Sequence, residues 1–331
     1  MNDLPASPRS SLPGADDFAV APASWYYLGT VAELKRGPVA FALPGGQKFV
    51  GYRTEDGHIA VLNGKCRHMN ADLAKGCVVG DRIACPLHGW EYGTDGVCRH
   101  IPSTSEIPEF ARQGSFPAEE RGGHVFFFNR TKERFPLPFF DGVSADQLRA
   151  ARCFEFIVDA PWYLLSANGF DAQHYVCAHD RTLDGELVVN SPDPFARRLQ
   201  ANFNVSGNSL QDRIIRLFSG SKVHMTVTNW CGNLVLVTAR FRRTTSYGIV
   251  SFVPLEDGRT RLRDIVFVPR RRGIGGGLIE RIDAEIRRIF IREFVRSDVD
   301  RSQGIRFQRS TTIPADQVLV EYLDWLQKIH H

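Results

Sequence analysis

The sequence predicts an α+β protein in two parts: a small all-β domain, then a larger antiparallel sheet associated with a long helix. Three observations carry this. From Trp25 to about residue 135 the chain is a series of short β-rich runs (WYYLGTV, VAFAL, KFVGYRT, HIAVLNG, HVFFFNR) cut by Gly, Pro and Asp turns. Farther on, longer runs of alternating character follow one another from ELVVNS to TRLRDIVFVPR, as antiparallel strands with one covered face do. A Gly-rich turn, GIGGG, then precedes a long helix from about Leu278 to Asp300, and an amphipathic helix follows over Asp316–Ile329.

Taken in order, residues 1–21 are rich in Pro, Ser, Ala and Asp with little periodicity and read as a mobile arm. The first domain spans 22–135. Asp95-Gly96 is a tight-turn signal within it, and the apolar run Val125–Phe128 fits a strand covered on both faces. A Pro-rich linker, FPLPFFDG, opens the segment 136–150. The second domain, 151–331, begins with a strand at Cys153–Val158. A helix starts near Asp159-Ala160-Pro161, where Asp can cap and Pro suits the first turn, and runs through WYLLSANGFDAQHYVCAHD. IIRLFS at Ile214–Ser219 is assigned to the strands of the large sheet.

The chain has 331 residues, with 43% hydrophobic and 24% charged side chains, which suits a soluble protein of about two domains. No apolar run reaches the length of a membrane span and no signal-peptide pattern is present, so no membrane association is expected. Seven scattered cysteines argue for reduced thiols and a cytoplasmic location rather than a disulfide framework. The net charge is +4, and the Arg197-Arg198, Arg242-Arg243 and Arg270-Arg271-Arg272 clusters lack an interleaved aromatic stripe, so nucleic acid is not an expected partner.

The chemistry is concentrated in Cys66–Gly93, CRHMNADLAKGCVVGDRIACPLHGWEYG. Cys66 and His68 form a Cys-x-His, and Cys85 and His88 a Cys-x-x-His. Two thiolates and two imidazoles on adjacent hairpin tips can hold a [2Fe–2S] cluster with Cys on one iron and His on the other; the neutral imidazoles raise its potential. Two Cys and two His also satisfy tetrahedral zinc. The flanks Pro86, Gly89, Trp90, Tyr92 and Gly93 do not suit a zinc site.

A second candidate lies in NGFDAQHYVCAH, where His174 and His179 are five residues apart. On a regular helix they would project about 140° apart, so the helix must loosen or end between Tyr175 and His179 for both to reach one metal. Two His and one carboxylate on one face of Fe(II) leave open positions for O2. Helical phase favours Asp298 as that carboxylate, within about 60° of Ile291, Phe294 and Val295; Asp300 lies about 180° from Ile291. Asp171, three residues before His174, shares its face and can orient its ring.

These motifs together resemble the α subunits of Rieske non-haem iron oxygenases (the ring-hydroxylating family) over nearly the full length. Asp171, His174 and His179 fall on the D-x2-H-x4-H pattern, and Asp298 on the distal carboxylate, although SDVD lacks the acidic residue often found just before it. The resemblance implies a Rieske domain and a START-like helix-grip catalytic domain with mononuclear iron, in a stand-alone monooxygenase or demethylase. It implies a homotrimer that sets the cluster of one subunit beside the iron of the next, with Asp171 bridging them catalytically. Electrons would come from NAD(P)H through a separate flavin reductase or ferredoxin. The substrate would be an apolar, aromatic or polycyclic small molecule facing strand residues such as Phe203, Trp230 and Phe252. The competing reading is an electron-transfer protein with a hydrophobic-ligand-binding grip domain.

Overall fold

The computed structural model describes residues 18, 20–271, 273, 275–307 and 311–330. Residues Trp25–Phe128 form three small antiparallel sheets. One joins Trp25–Thr30, His124–Phe128 and Ala118–Arg121; a second orders Val39–Leu43, Gln47–Arg53, Ile59–Asn63 and Ser115–Phe116. The third, Cys77–Val79, Arg82–Ala84, Glu91–Tyr92 and Cys98–His100, carries the metal-binding motifs. Every residue of His124–Phe128 is buried, as its unbroken apolar run requires. After Thr30 the chain turns into a short helix, α1 (Val31–Leu34), closed by a Thr30–Glu33 capping box.

The large sheet of the second domain has nine strands. Its centre is a meander of Ala196–Val205, Lys222–Trp230, Leu234–Phe241, Thr245–Pro254 and Thr260–Pro269. Leu148–Ala150 and Phe154–Val158 flank one edge, and Arg181–Leu183 and Val188–Asp193 the other. Its two faces meet different partners. Leu234, Leu236, Ile249, Ile265 and Phe267 pack on Trp25, Phe126 and Phe128 of the first part and on Phe135, Leu137 and Phe140. The Pro-rich segment is therefore irregular but anchored, each buried ring contributing about 1.5–3 kcal/mol. The opposite face, with Val227, Phe252, Leu262 and Val266, is covered by helices α2 (Trp162–Ala167), α5 (Gly276–Arg301) and α6 (Gln317–His330).

Several expectations are corrected. Ile214–Phe218 is not a strand: it lies in helix α4 (Leu210–Phe218), because the Ser209 side chain caps the Asp212 N–H and starts a helix. The expected single helix from Pro161 is split into α2, a 3-10 turn at Asn168–Phe170, and α3 (Ala172–His179). Trp230 stacks on Phe135 and so faces the linker, whereas Phe203 and Phe252 face the helices. Of the proposed arm, the structure describes Phe18, Val20 and Ala21; Phe18 is buried against Trp162 and Tyr163, and the rest lies outside the described residues. Arg272 of the basic cluster and Ile274 of the Gly-rich turn also lie outside them. No helix among the described residues is long and apolar enough to cross a membrane.

His124 joins the small domain to the segment that follows the edge strand Leu148–Ala150 of the large sheet. Tyr27 OH lies 3.1 Å from its Nδ1, and Ala151 O lies 3.2 Å from its Nε2. A neutral ring that donates from Nε2 and accepts at Nδ1 satisfies both. Burial pushes its pKa down from 6.5 to about 4. The unfolded chain takes a proton below about pH 6.5 that the folded ring refuses, so this stability is complete above 6.5 and lost as pH falls through 4, about 3 kcal/mol in all. Buried Asp264, pushed up from 3.8 to about 7, acts with the opposite sign: its contribution is full below about pH 4 and is lost as pH rises through 7. Urea melts at pH 7.5 and 4.5 should show His124→Gln losing about 2.5 kcal/mol less than the wild type over that interval. Parallel losses would place the effect elsewhere.

Candidate metal centres

The two Cys/His loops close in the same way. In the first, Cys66 N–H donates to Ala71 O and Asn70 N–H to Cys66 O; in the second, Cys85 N–H donates to Trp90 O and Gly89 N–H to Cys85 O. Each chain reverses through a left-handed residue, Asn70 at φ 57° and Gly89 at φ 67°. The consequence is an asymmetric quartet: Cys66 and Cys85 are buried at the base, and His68 and His88 are exposed at the tips. The rings of His68 and His88 lie 4.8 Å apart, and His68 stacks on Trp90 at 4.6 Å. Tyr92 OH lies 3.2 Å from Cys66 Sγ and can donate to a thiolate there. Burial pushes the Cys85 thiol above its ordinary value, and the neighbouring Cys66 adds to this. Two buried thiols side by side at the base of two loops, with two imidazoles at the tips, form a donor set that fits an iron–sulfur group. Gly76 is required beside this loop, since a Cβ would stand 2.0 Å from Ala84 O in the strand leading to Cys85.

The second centre is built from α3 and α5. His174 Nε2 and His179 Nε2 are 3.1 Å apart, and Asp298 Oδ1 lies 3.3 Å from the first and 2.9 Å from the second. The structure thus brings both histidines and Asp298 together, while Asp300 is exposed. The five-residue spacing is reconciled at the end of α3. Asp180 adopts φ 49°, and its N–H reaches back to Tyr175 O, a wide π-type last turn that lets the His179 ring swing toward His174. Phe294 stacks on the His179 ring at 3.8 Å and holds its plane.

Asp298 Oδ1 is buried, yet makes no well-aligned hydrogen bond among the described residues. Burial opposes its charge, but the two imidazoles beside it hold its pKa below the usual value. An ionised carboxylate and two imidazoles converging on one point, donors all within 4.8 Å of one another, form a set suited to one divalent ion with open positions.

Asp171 occupies another place than the continuous helix implied. Its Oδ1 accepts from the backbone N–H groups of Gln173 (2.9 Å) and His174 (3.2 Å), making it the N-cap of α3. It acts on His174 through the helix start rather than through a bond to the ring. It also lines a surface cavity of about 410 Å³ with Gln173, His174, Cys177, Ala178 and Arg301.

Sequence reasoning missed the pair beneath His179. Arg181 Nη1 donates to His179 O at 2.8 Å and meets Asp212 Oδ1 at 2.8 Å, with both side chains only 9% exposed. Ser209 Oγ donates to the other Asp212 oxygen at 2.6 Å. Gly207 makes room, because a Cβ there would stand 2.2 Å from Asp212 Oδ2. The available signals were an Arg directly after the helix and an S-x-x-D start to α4.

Residues 24–111 match the Rieske [2Fe–2S] domain family. Over 114 residues the chain is 37% identical to the oxygenase component of 3-ketosteroid-9-alpha-monooxygenase from Mycolicibacterium smegmatis, covering 34% of this chain and 30% of that protein. Over 168 residues it is 31% identical to the methylxanthine N1-demethylase NdmA of Pseudomonas putida, covering 48% and 47%. These alignments span less than half the length of the curated relatives. Among solved structures, dicamba monooxygenase bound to dicamba superposes with a TM-score of 0.71 at 19% identity, over 94% of this chain and 98% of that one. NdmA of Pseudomonas putida does so at 0.68 and 20% identity, over 92% and 89%.

Proposed function

We propose, for a chain that carries a Rieske [2Fe–2S] domain and has the fold of Rieske oxygenase α subunits, that it is an O2-dependent oxygenase of an apolar ring compound. The observation that carries this is the His174–His179–Asp298 set, which an electron carrier would not need. When bound, the two centres would supply electron storage and dioxygen activation. Cys66, His68, Cys85 and His88 would hold the cluster, and His174, His179 and Asp298 the mononuclear iron.

The chain's own part is geometric. α3 and α5 hold the three donors at one point, with His179 almost fully buried and His174 and Asp298 still reached by solvent. A ferredoxin or flavin reductase fed by NAD(P)H would supply the electrons to the cluster. A homotrimer would set His88 of one subunit against Asp171 of the next, where the carboxylate can accept the ring N–H while it still caps α3. The similar proteins, a 3-ketosteroid-9-alpha-monooxygenase, a methylxanthine N1-demethylase and a dicamba monooxygenase, support an apolar ring substrate, hydroxylated or demethylated, and the cytoplasm as the location.

The test is reoxidation of the dithionite-reduced cluster by O2, followed by stopped-flow absorbance with a 3-ketosteroid, a methylxanthine and dicamba each present. The wild type should reoxidise faster with at least one of them than Asp298→Ala does. Equal rates throughout would favour the electron-transfer reading with a ligand-binding grip domain. Asp171→Asn, which retains a capping side chain, should keep stability and both metals but reoxidise slowly. Asp171→Ala should also lose about 1 kcal/mol in urea melts. Wild-type reoxidation by Asp171→Asn would remove the bridging role.

A further inference from the structure

The face of the large sheet that looks toward α5 is not filled evenly. Along the central strands, Met225, Val237, Ala239 and Val250 are only half-buried, whereas Leu234, Leu236, Ile249 and Ile265 on the other face are buried. Gly248 interrupts the strand Thr245–Pro254 here. A Cβ at that position would have a single neighbour within 4 Å, the Oδ1 of Asp264 at 3.8 Å. A glycine inside a strand with open space before it marks a place where another group can approach the backbone.

Asp264 is the polar exception on this face. It pairs across the sheet with Val250 on one side and Phe154 on the other, and its strand neighbours Leu262 and Val266 pack toward α5. The residue is 2% exposed, and its Oδ1 has no hydrogen-bond partner among the described residues. No cation among them pairs with it either, and burial alone pushes its carboxyl up to about 7. The helix above it carries Ile291 and Val295, which pack on the same cluster as Val266; one turn farther on stands Asp298. A lone carboxyl inside an apolar wall destabilises the fold unless something pairs with it.

We propose that the open space before Gly248, between the sheet and α5, is a substrate subsite with Asp264 as its specificity-determining anchor, and that it selects an apolar ring compound bearing a basic amine, whose N–H groups Asp264 accepts. An ammonium is the occupant that best relieves this site, since it supplies the missing donor and charge together, while Phe154, Val250 and Val295 cover its hydrocarbon body. The inference rests on the oxygenase reading for what the occupant is, but the recognition itself needs no turnover.

The test is isothermal titration of the oxidised holoprotein at neutral pH with matched probes: benzylamine against toluene, and 2-aminotetralin against tetralin and 2-tetralone. Wild type should bind at least one amine about tenfold or more tightly than its hydrocarbon, and Asp264→Asn should abolish that ratio while leaving hydrocarbon affinity and cluster absorbance unchanged. Gly248→Ala, which places a methyl in the open space, should weaken amine and hydrocarbon several-fold alike. An amine that binds no better than its hydrocarbon overturns the inference, as does a preference retained in Asp264→Asn, or a preference for 2-tetralone, which would make the carboxyl a neutral donor. Should Asp264→Asn not fold, unchanged affinities in Gly248→Ala would overturn it in the same way. Selective amine binding without any oxidised product would count against the oxygenase reading and leave this inference standing.

Discussion

His179→Ala should yield a folded protein with the cluster absorbance of the wild type, without the mononuclear iron and without substrate-stimulated oxygen uptake. The two centres share no ligand: the Cys/His quartet lies on loops of the small sheets, and His179 on the last turn of α3. Removing His179 leaves His174 and Asp298 as a two-donor site. Loss even of groups that only support metal ligands costs about 10–100-fold in affinity, so loss of a ligand itself should exceed that. The ring also stacks on Phe294, so some packing is lost with it. His179→Gln, closer in size, should lose the iron equally while melting nearer the wild type. Iron analysis after gel filtration, read with the visible spectrum, separates these outcomes. Retention of the iron in both variants would exclude His179 as a ligand.

Asp212→Ala should be the most destabilising single change near the site. It leaves the Arg181 guanidinium buried and unpaired below His179, and breaking a buried pair from one side costs about 3–5 kcal/mol. The same arginine holds the His179 carbonyl, so the loss should reach the metal centre: iron affinity should fall about 10–100-fold while the ligands themselves are intact. Arg181→Met, which removes the charge and retains the stem, should be milder than Arg181→Ala. Urea melts and iron titration with a competing chelator provide both numbers. A wild-type midpoint in Asp212→Ala would show that water reaches and solvates this pair.

How much of this was legible beforehand follows from the range of each interaction. The α+β class and most strands of the large sheet could be read because alternation is local; Ala196–Val205 is bounded in the structure as it reads in the sequence. Cys66, His68, Cys85 and His88 could be singled out because two short loops must carry such residues at fixed spacing, and the structure sets the two loops side by side. The choice of Asp298 over Asp300 rested on helical phase and on the family resemblance, and it is Asp298 that stands beside both histidines. Ile214–Phe218 was misread since its β-branched pair outweighed the Ser209 cap, a single hydrogen bond. The break at Asp171 was missed for a related reason: an aspartate three residues before a histidine reads equally as a helix-face neighbour or as an N-cap, and only the preceding 3-10 turn decides. Arg181–Asp212 and Asp264 were out of reach. Each depends on which residues another strand or helix lays against it, and pattern within one segment holds no record of that.

The central claim is that this one chain carries two different iron centres, and metal analysis of the purified protein tests it most directly. The account predicts about three irons and about two acid-labile sulfides per chain, with about one iron lost in Asp298→Ala and both sulfides retained. Two irons with two sulfides in wild type and variant alike, or zinc with no sulfide, would contradict it.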